Sequence, residues 1–332
     1  MNIDQSKIVV TGACGFIGSH LTEALIERGC EVTALCLYNP QGSYGWLHNS
    51  PLLDHKNLRV ELGDVRDFQF CKKLLKGQDA VFNLAALIGI PYSYQAPQSY
   101  IDTNITGCYN ICQAAMEYGL KRVMQVSTSE VYGTARYVPI DEKHPKQPQS
   151  PYSASKISSD AIALSFFYSF DLPVTIVRPF NTYGPRQSTR AIIPTVVTQI
   201  ARGSDVLELG SLSPTRDLNY VADTVNAMMA IASCDDAVGR EVNIGSGREI
   251  SVGDLVRMIS ALMNHDVEIR QDPARIRPKN SEVERLLADC SLLKQLTGFS
   301  PAFSLREGLV RTIEWFRDDR NLSAYRTGFY HV

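Results

Sequence analysis

A short, β-branched apolar run, Lys7–Thr11, stops on Gly12. Glycines at positions 12, 15 and 18 then lead into a segment of helical apolar spacing, Ser19–Arg28, that ends at Gly29. Each glycine has its own physical reason to be there. Gly12 permits a tight turn, Gly15 lets the backbone approach a pyrophosphate, and Gly18 lets helix and strand pack closely. The first turn of the helix faces the phosphates with N–H groups that have no partner inside the helix. A glycine triad alone says little. A triad between a strand and a helix predicts a dinucleotide site, with Phe16 and Ile17 inside it.

The strand–helix alternation then repeats along the chain. Strands are expected at Glu31–Leu37, Leu58–Leu62, Ala80–Leu84, Arg122–Ser127 and Val174–Arg178. Helices are expected at Phe68–Leu75, Thr103–Tyr118 and Tyr152–Tyr168. Such alternation implies βαβ units with right-handed crossovers, and so an α/β fold with a Rossmann-type, doubly wound parallel sheet. Beyond residue 180 the alternation weakens and Pro and Gly become frequent, with helical signals at Val221–Ala232, Val252–Met263 and Ser304–Asp318. The chain therefore reads as a dinucleotide-binding domain, 1–180, and a smaller α/β substrate lobe, 181–332, closing over the sheet's carboxyl edge.

Bulk properties exclude several classes. The 332 residues carry a formal net charge of −2 and are 20% charged, so no global field attracts nucleic acid. The N-terminus has no basic stretch followed by an apolar one, and no apolar run approaches the roughly 20 residues that span a bilayer. The eight cysteines include no CxxC pair. Cys108 and Cys112 stand four apart with no His at zinc spacing behind them, so no metal is expected. Free thiols in a reducing compartment, the cytoplasm, are the expectation. The six histidines show no ligand spacing.

Further residues fall at strand ends, where open α/β sheets place ligands. Asp64 and Val65 follow the third strand; the Asp suits an adenine amino group, or a helix cap. Leu84, Ala85 and Ala86 end the fourth strand with space for a dinucleotide. The acidic residue expected on the adenosine ribose at the end of the second strand is missing. Cys36 stands there, with Tyr38, Asn39 and Ser43 as other ribose contacts. No Arg follows to hold a 2′-phosphate, so NAD is favoured over NADP. Tyr152 and Lys156 form a YxxxK pair on one helix face. A Lys ammonium there would favour the Tyr phenolate and make it a base for a sugar hydroxyl. Thr128, Ser129 and Glu130 end the fifth strand; spacing leaves Glu130 open between a cap and a functional carboxylate.

Together these segments resemble the extended short-chain dehydrogenase/reductases, specifically the nucleotide-sugar 4,6-dehydratases. The resemblance covers nearly the whole chain. Its motifs are TGACGFIGSH at Thr11–His20, GDV at Gly63–Val65, NLAA at Asn83–Ala86, STSEVYG at Ser127–Gly133, PYSASK at Pro151–Lys156, RPFNTYGPRQ at Arg178–Gln187 and TRDLNYVAD at Thr215–Asp223. It implies a Thr128–Tyr152–Lys156 triad, Glu130 as the group that moves the C5 proton, and Ser129 on the leaving 6-hydroxyl. It also implies Asn104 at the cofactor. Asn181 would lie at the diphosphate of a nucleotide sugar, with Arg216 and Arg277 pairing phosphate and Arg186, Arg190 and Arg285 as weaker candidates. Thr-Ser-Glu is also the triplet of UDP-glucuronate decarboxylases, whereas 4-epimerases usually carry no Glu there. Ser213-Pro214-Thr215-Arg216-Asp217 looks more like a dehydratase. Within the family the likeness is greatest to the dehydratases of the legionaminic acid pathway, which act on GDP-N-acetylglucosamine; the base could equally be uridine. A homodimer through a four-helix contact of Asn104–Tyr118 and Tyr152–Tyr168 is implied as well.

Overall fold

The structure, a computed structural model, describes residues 1–272 and 283–325. Strands β1 (Lys7–Thr11), β2 (Glu31–Leu37), β3 (Leu58–Gly63), β4 (Ala80–Asn83), β5 (Arg122–Val126) and β6 (Val174–Pro179) alternate with helices in the first half. These helices are α1 (Phe16–Glu27), α2 (Phe68–Leu75), the short α3 (Ile90–Gln95) and α4 (Pro97–Tyr100), α5 (Gly107–Glu117) and α6 (Pro151–Phe170). The second half contains β7 (Asn181–Tyr183), α7 (Ile192–Ala201), β8 (Val206–Leu209), β9 (Thr215–Tyr220), α8 (Val221–Ser233) and β10 (Glu241–Ile244). It continues with β11 (Glu249–Ser251), α9 (Val252–Met263), β12 (Glu268–Gln271), β13 (Arg285–Leu286), α10 (Ser291–Thr297), α11 (Leu305–Arg317) and α12 (Asp319–Ser323).

Among the described residues the large sheet has seven strands in the order β10-β6-β5-β4-β1-β2-β3, and every pairing in it is parallel. This is the expected doubly wound sheet. The strands are apolar on both faces because helices cover both. Ile8 and Val10 face α1 and α8 in one core, and Val9 faces α2 and α5 in the other. The strand order turns back at β1 and β4, so the carboxyl ends of β1, β4 and β5 open onto one crevice.

Beyond residue 180 the chain contributes β10 to the edge of the large sheet before it returns to the smaller lobe. In that lobe β9 lies between β11 and β13 and also pairs with β7. The buried Asp217 carboxylate ties this lobe together. It accepts the Ser246 hydroxyl and the amides of Ser246, Gly247 and Ala288 at 2.6–3.1 Å. Burial raises its pKa, and the four donors oppose that.

The helix expected to start at Thr103 is regular only from Gly107. Ile101–Thr106 form a π-helical turn, which rotates Asn104 towards the end of β4. Helix α6 is longer than expected. Ser150 and Ser153 cap each other's amides at its start, Pro151 occupies its first turn, and Asp171 ends it in the left-handed region.

Candidate functional site

The glycine turn is built as the triad predicts. Gly12 has φ +67°, and a Cβ on it would stand 3.0 Å from the Ala85 amide nitrogen. A Cβ on Gly18 would lie 2.2 Å from the Gly12 carbonyl oxygen, well inside contact distance. Helix α1 begins at Phe16 with Gly15 as its N-cap and no side-chain cap, so its first-turn amides are open to an anion. Phe16 and Ile17 are half-buried beside the turn. Thr11 locks the strand ends together: its hydroxyl donates to Asn83 Oδ1 at 2.7 Å and accepts the Ala85 amide at 3.0 Å. Leu84, Ala85 and Ala86 are half-buried on the crevice side of β4.

Two strand ends differ from simple expectation. The Asp64 carboxylate takes the Arg66 guanidinium and amide, which hold it below the usual carboxylate range. Val65 is buried under α5, with its carbonyl accepting Asn110 Nδ2 at 2.9 Å. At the end of β2 the Cys36 thiol hydrogen-bonds Cys14 of the glycine turn, which lowers the Cys14 pKa and raises that of Cys36. Asn39 bonds the backbone of Leu37 and Ser43, so it shapes the following loop.

Asn104 is nearly fully buried, and all its amide atoms are used. It exchanges two hydrogen bonds with the Leu87 backbone at 2.8 and 3.0 Å and donates to Ser155 Oγ at 2.9 Å. It thus joins the β4 loop to α6 next to Lys156.

The catalytic candidates meet above β5. Thr128 caps the 3₁₀ turn Ser129–Tyr132, its hydroxyl accepting the Glu130 amide at 3.2 Å. That turn ends at Gly133, with φ +62° and no room for a side chain against Gln149. Ser129 is buried and Glu130 half-buried. Tyr152 is buried, with its ring 6.2 Å from the Tyr100 ring. Burial pushes the Tyr152 phenol above its ordinary value. A hydrogen bond from Thr128 pulls it down, and the Glu130 charge pushes it up. Thr128 and Glu130 therefore both lie within reach of the Tyr152 phenol. Lys156 is also buried and donates to the Val126 carbonyl at 2.7 Å. Burial lowers its pKa. The lowering of Tyr152 expected from Lys156 is not found: the ammonium is directed to the Val126 carbonyl, and desolvation drives base and ammonium alike towards their neutral forms.

Of the substrate candidates, Asn181 stands at the start of β7, at the same sheet edge, and its buried Oδ1 has no hydrogen-bond partner. Arg216 is half-buried on β9 and donates to the Thr215 carbonyl at 2.9 Å. Arg186 is not presented to the crevice as a free guanidinium. It makes a two-point ion pair with Glu23 of α1 at 2.9 and 3.0 Å. Arg285 is likewise paired, with Glu249. Arg277 lies outside the described residues. Arg190, the weaker candidate on sequence, reaches the Gly89 backbone and acts on Tyr100, one ring away from Tyr152.

Sequence reading missed Tyr100, whose hydroxyl bonds the Gly89 carbonyl, and the buried ions Asp160 and Arg178. Asp160 did carry a signal: an acid one turn beyond Lys156 in an otherwise uncharged helix segment. Among the described residues no His, Cys, Asp and Glu cluster could hold a metal, and no helix is long and apolar enough to cross a membrane.

Residues 9–312 match the family described as GDP-mannose 4,6 dehydratase. The chain belongs to that family. Its fold and motifs place it among the extended short-chain dehydrogenase/reductases that modify nucleotide sugars. Two curated members show the family's range. A dTDP-glucose 4,6-dehydratase of Streptomyces griseus is 33% identical over 323 residues, 95% of each chain. A UDP-N-acetyl-alpha-D-glucosaminuronate decarboxylase of Bacillus cytotoxicus is 33% identical over 333 residues, 96% of this chain and 99% of that one. Among solved structures, a double mutant of the dTDP-glucose 4,6-dehydratase DesIV of Streptomyces venezuelae, with NAD and DAU bound, superposes with a TM-score of 0.87. It is 30% identical and covers 95% of this chain and 98% of its own. Relatives of this chain thus include both a dehydratase and a decarboxylase of nucleotide sugars.

Proposed function

We propose that this chain is an NAD-dependent 4,6-dehydratase of a nucleotide-activated hexose, GDP- or UDP-N-acetylglucosamine. The observation that carries this reading is Glu130, a carboxylate on the turn that follows Thr128, close enough for its charge to act on Tyr152.

The residues fit the dinucleotide. Gly12 and Gly18 leave no volume for side chains, and the α1 amides lack a side-chain cap. Gly12, Gly15, Phe16, Ile17 and Gly18 would hold the pyrophosphate and Asp64 and Val65 the adenine. Leu84, Ala85, Ala86, Asn104, Tyr152 and Lys156 would hold the nicotinamide half. When bound, NAD supplies the hydride acceptor that makes C4 of the sugar a ketone and later gives the hydride back at C6.

The protein's own groups move the protons. Tyr152 takes the proton of the 4-hydroxyl, with Thr128 fixing the phenol and Lys156 providing positive charge beneath it. The 4-ketone acidifies C5; Glu130 removes that proton and gives it to the 6-hydroxyl, which leaves as water with Ser129 hydrogen-bonding the leaving oxygen, and the proton that Tyr152 took balances the one C5 regains when hydride returns to C6. Asn181, with its unpaired Oδ1, and Arg216 would bind the diphosphate, joined by Arg277; Arg186 stays with Glu23. The product is a 4-keto-6-deoxy sugar nucleotide.

Eight free cysteines suit a cytoplasmic site. The exposed Tyr109, Tyr168 and Phe170 on α5 and α6 suit a homodimer through these helices.

Mass spectrometry of GDP- and UDP-N-acetylglucosamine incubated with enzyme and NAD tests the reading. The expected result is loss of one water from one substrate. Glu130→Gln should abolish that loss while C4 oxidation, seen as reduced nicotinamide absorbance, persists. A second reading is favoured by the Bacillus cytotoxicus relative, whose name is that of a decarboxylase. Loss of carbon dioxide from a UDP-uronate, with no loss of water from either hexosamine nucleotide, would replace the dehydratase by it.

A further inference from the structure

Behind the site lies a set of buried ions that the proposed chemistry does not itself use. Asp160 is fully buried on α6, one turn beyond Lys156 and two beyond Tyr152. Its Oδ2 accepts the Ser127 hydroxyl at 2.7 Å and the Arg178 Nη2 and Nε at 3.0 and 3.3 Å. Its Oδ1 is buried with no hydrogen-bond partner. Arg178, also fully buried, donates to Glu241 at 2.6 Å and to the Tyr132 hydroxyl at 3.1 Å, and Lys146 closes the chain on Glu241 at 2.6 Å. The links run to both ends of the catalytic segment, since Ser127 precedes Thr128 and Tyr132 closes the turn that bears Ser129 and Glu130.

We propose that Asp160 is a positioning residue for C4 oxidation: it is the counter-charge of the buried Lys156 ammonium, and Arg178 limits how much of its charge Lys156 receives. A buried ammonium without an opposing charge loses its proton. The Val126 carbonyl accepts one Lys156 N–H but brings no net charge. The other titratable group acting on Lys156 is the Cys108 thiol on α5, which is bonded to Gln125 and the Ser159 carbonyl, while Tyr152 stands one turn back on the same helix. Asp160 is the main charge opposing the desolvation of Lys156. Arg178 competes for the same carboxylate, so the pair acts as a set point for the Lys156 charge rather than as a plain salt bridge.

The inference rests on Tyr152 and Lys156 performing the oxidation, a step that dehydration and the alternative decarboxylation share. Its test needs no substrate. The titration of Lys156 is followed by carbon NMR of its ε-methylene in lysine-labelled protein free of cofactor, assigned with Lys156→Arg. Asp160→Asn should lower the midpoint by about one pH unit or more, the size expected for loss of a nearby opposite charge. Arg178→Met should raise it, because Asp160 then serves Lys156 alone. Ser127→Ala, which keeps both charges, should leave it in place. The basic limb of the oxidation rate should follow the same order. A midpoint unmoved by Asp160→Asn overturns the proposal. So does a fall in Arg178→Met, or a shift in Ser127→Ala as large as that in Asp160→Asn, since a purely structural network would respond to each loss alike. If Asp160→Asn does not fold, the direction of the Arg178→Met shift decides. A failed dehydration assay leaves these titrations untouched, so the two readings fail separately.

Discussion

Burial holds the Tyr152 phenol above its ordinary pKa, and the hydrogen bond from Thr128 draws it back down. Removing that bond has a definite sign. Thr128→Ala should move the acidic limb of the oxidation rate to higher pH, because the phenol then gives up its proton later. Thr128→Ser, which keeps the hydroxyl, should leave the limb near its original place. Tyr152→Phe should lower kcat by about 10²- to 10⁴-fold with KM little changed, as expected for loss of a general base. Steady-state rates across pH check both. At this scale the sequence was most legible where a motif fixes a backbone position: Gly12, Thr128, Tyr152 and Lys156 all stand at the mouth of the sheet. It was least legible for arginines. Nothing near Arg186 in the chain shows that Glu23, 163 positions earlier, takes its guanidinium. Likewise, nothing beside Arg190 shows that its side chain ends at Gly89.

At the scale of elements, the glycine turn and α1 are one object, because Gly18 lets the helix sit on the Gly12 carbonyl. Gly18→Ala should cost roughly 2–3 kcal/mol, since the neighbour it meets is backbone and cannot move aside cheaply. It should also abolish NAD binding by tilting the first turn of α1. Gly77→Ala is the control. That glycine has φ +74° and nothing within 4 Å of the added carbon, so it bears backbone strain of roughly 1–2 kcal/mol without touching the cofactor turn. Thermal melts and NAD titration by calorimetry separate the two effects: both variants lose stability, and only Gly18→Ala should lose affinity. The parallel strands could be read from sequence because burial on both faces leaves short β-branched runs between glycines. The smaller lobe could not. Strands β7, β11 and β13 are two or three residues long and owe their conformation to partners remote in sequence, such as Asn181 beside Leu218 and Arg285 beside Thr215. Helix α7 hid because Pro194 sits inside its first turn, where a missing amide does no harm. The π-turn at Asn104 was equally hidden, since its cause is a pair of hydrogen bonds to Leu87.

At the scale of the molecule, the segments before and after residue 180 meet along one face of α1. Glu23 holds Arg186 and also accepts the Ser50 hydroxyl at 2.6 Å. One turn earlier, His20 Nε2 lies 3.1 Å from the Pro185 carbonyl. Burial lowers the His20 pKa from 6.5 to about 4, and the Arg186 charge adds to that. The unfolded chain binds this proton near the ordinary histidine value, whereas the folded chain refuses it until about 4. Stability should therefore be lost as pH falls from roughly 6.5 towards 4, by at most about 3.4 kcal/mol at 1.36 kcal/mol per pH unit, and be insensitive to His20 below that. His20→Gln, which cannot take the proton, should flatten this part of the profile and unfold in denaturant at nearly the same midpoint at pH 6.5 and pH 4.5, apart from carboxylate effects shared with the parent. The change should reach the substrate before it reaches the cofactor. Protonation of His20 places a second cation beside Arg186 and so strains the Gly184–Gln187 link that leads from Asn181, whereas its contact with the glycine turn is an uncharged edge contact with the Phe16 ring at 6.0 Å. A fall to pH near 4, where folded His20 takes its proton, should thus raise KM for the sugar nucleotide while NAD affinity holds, and His20→Gln should remove that rise. A parallel loss of both affinities would mean that the two halves open together and that the α1 contact is not where acid acts.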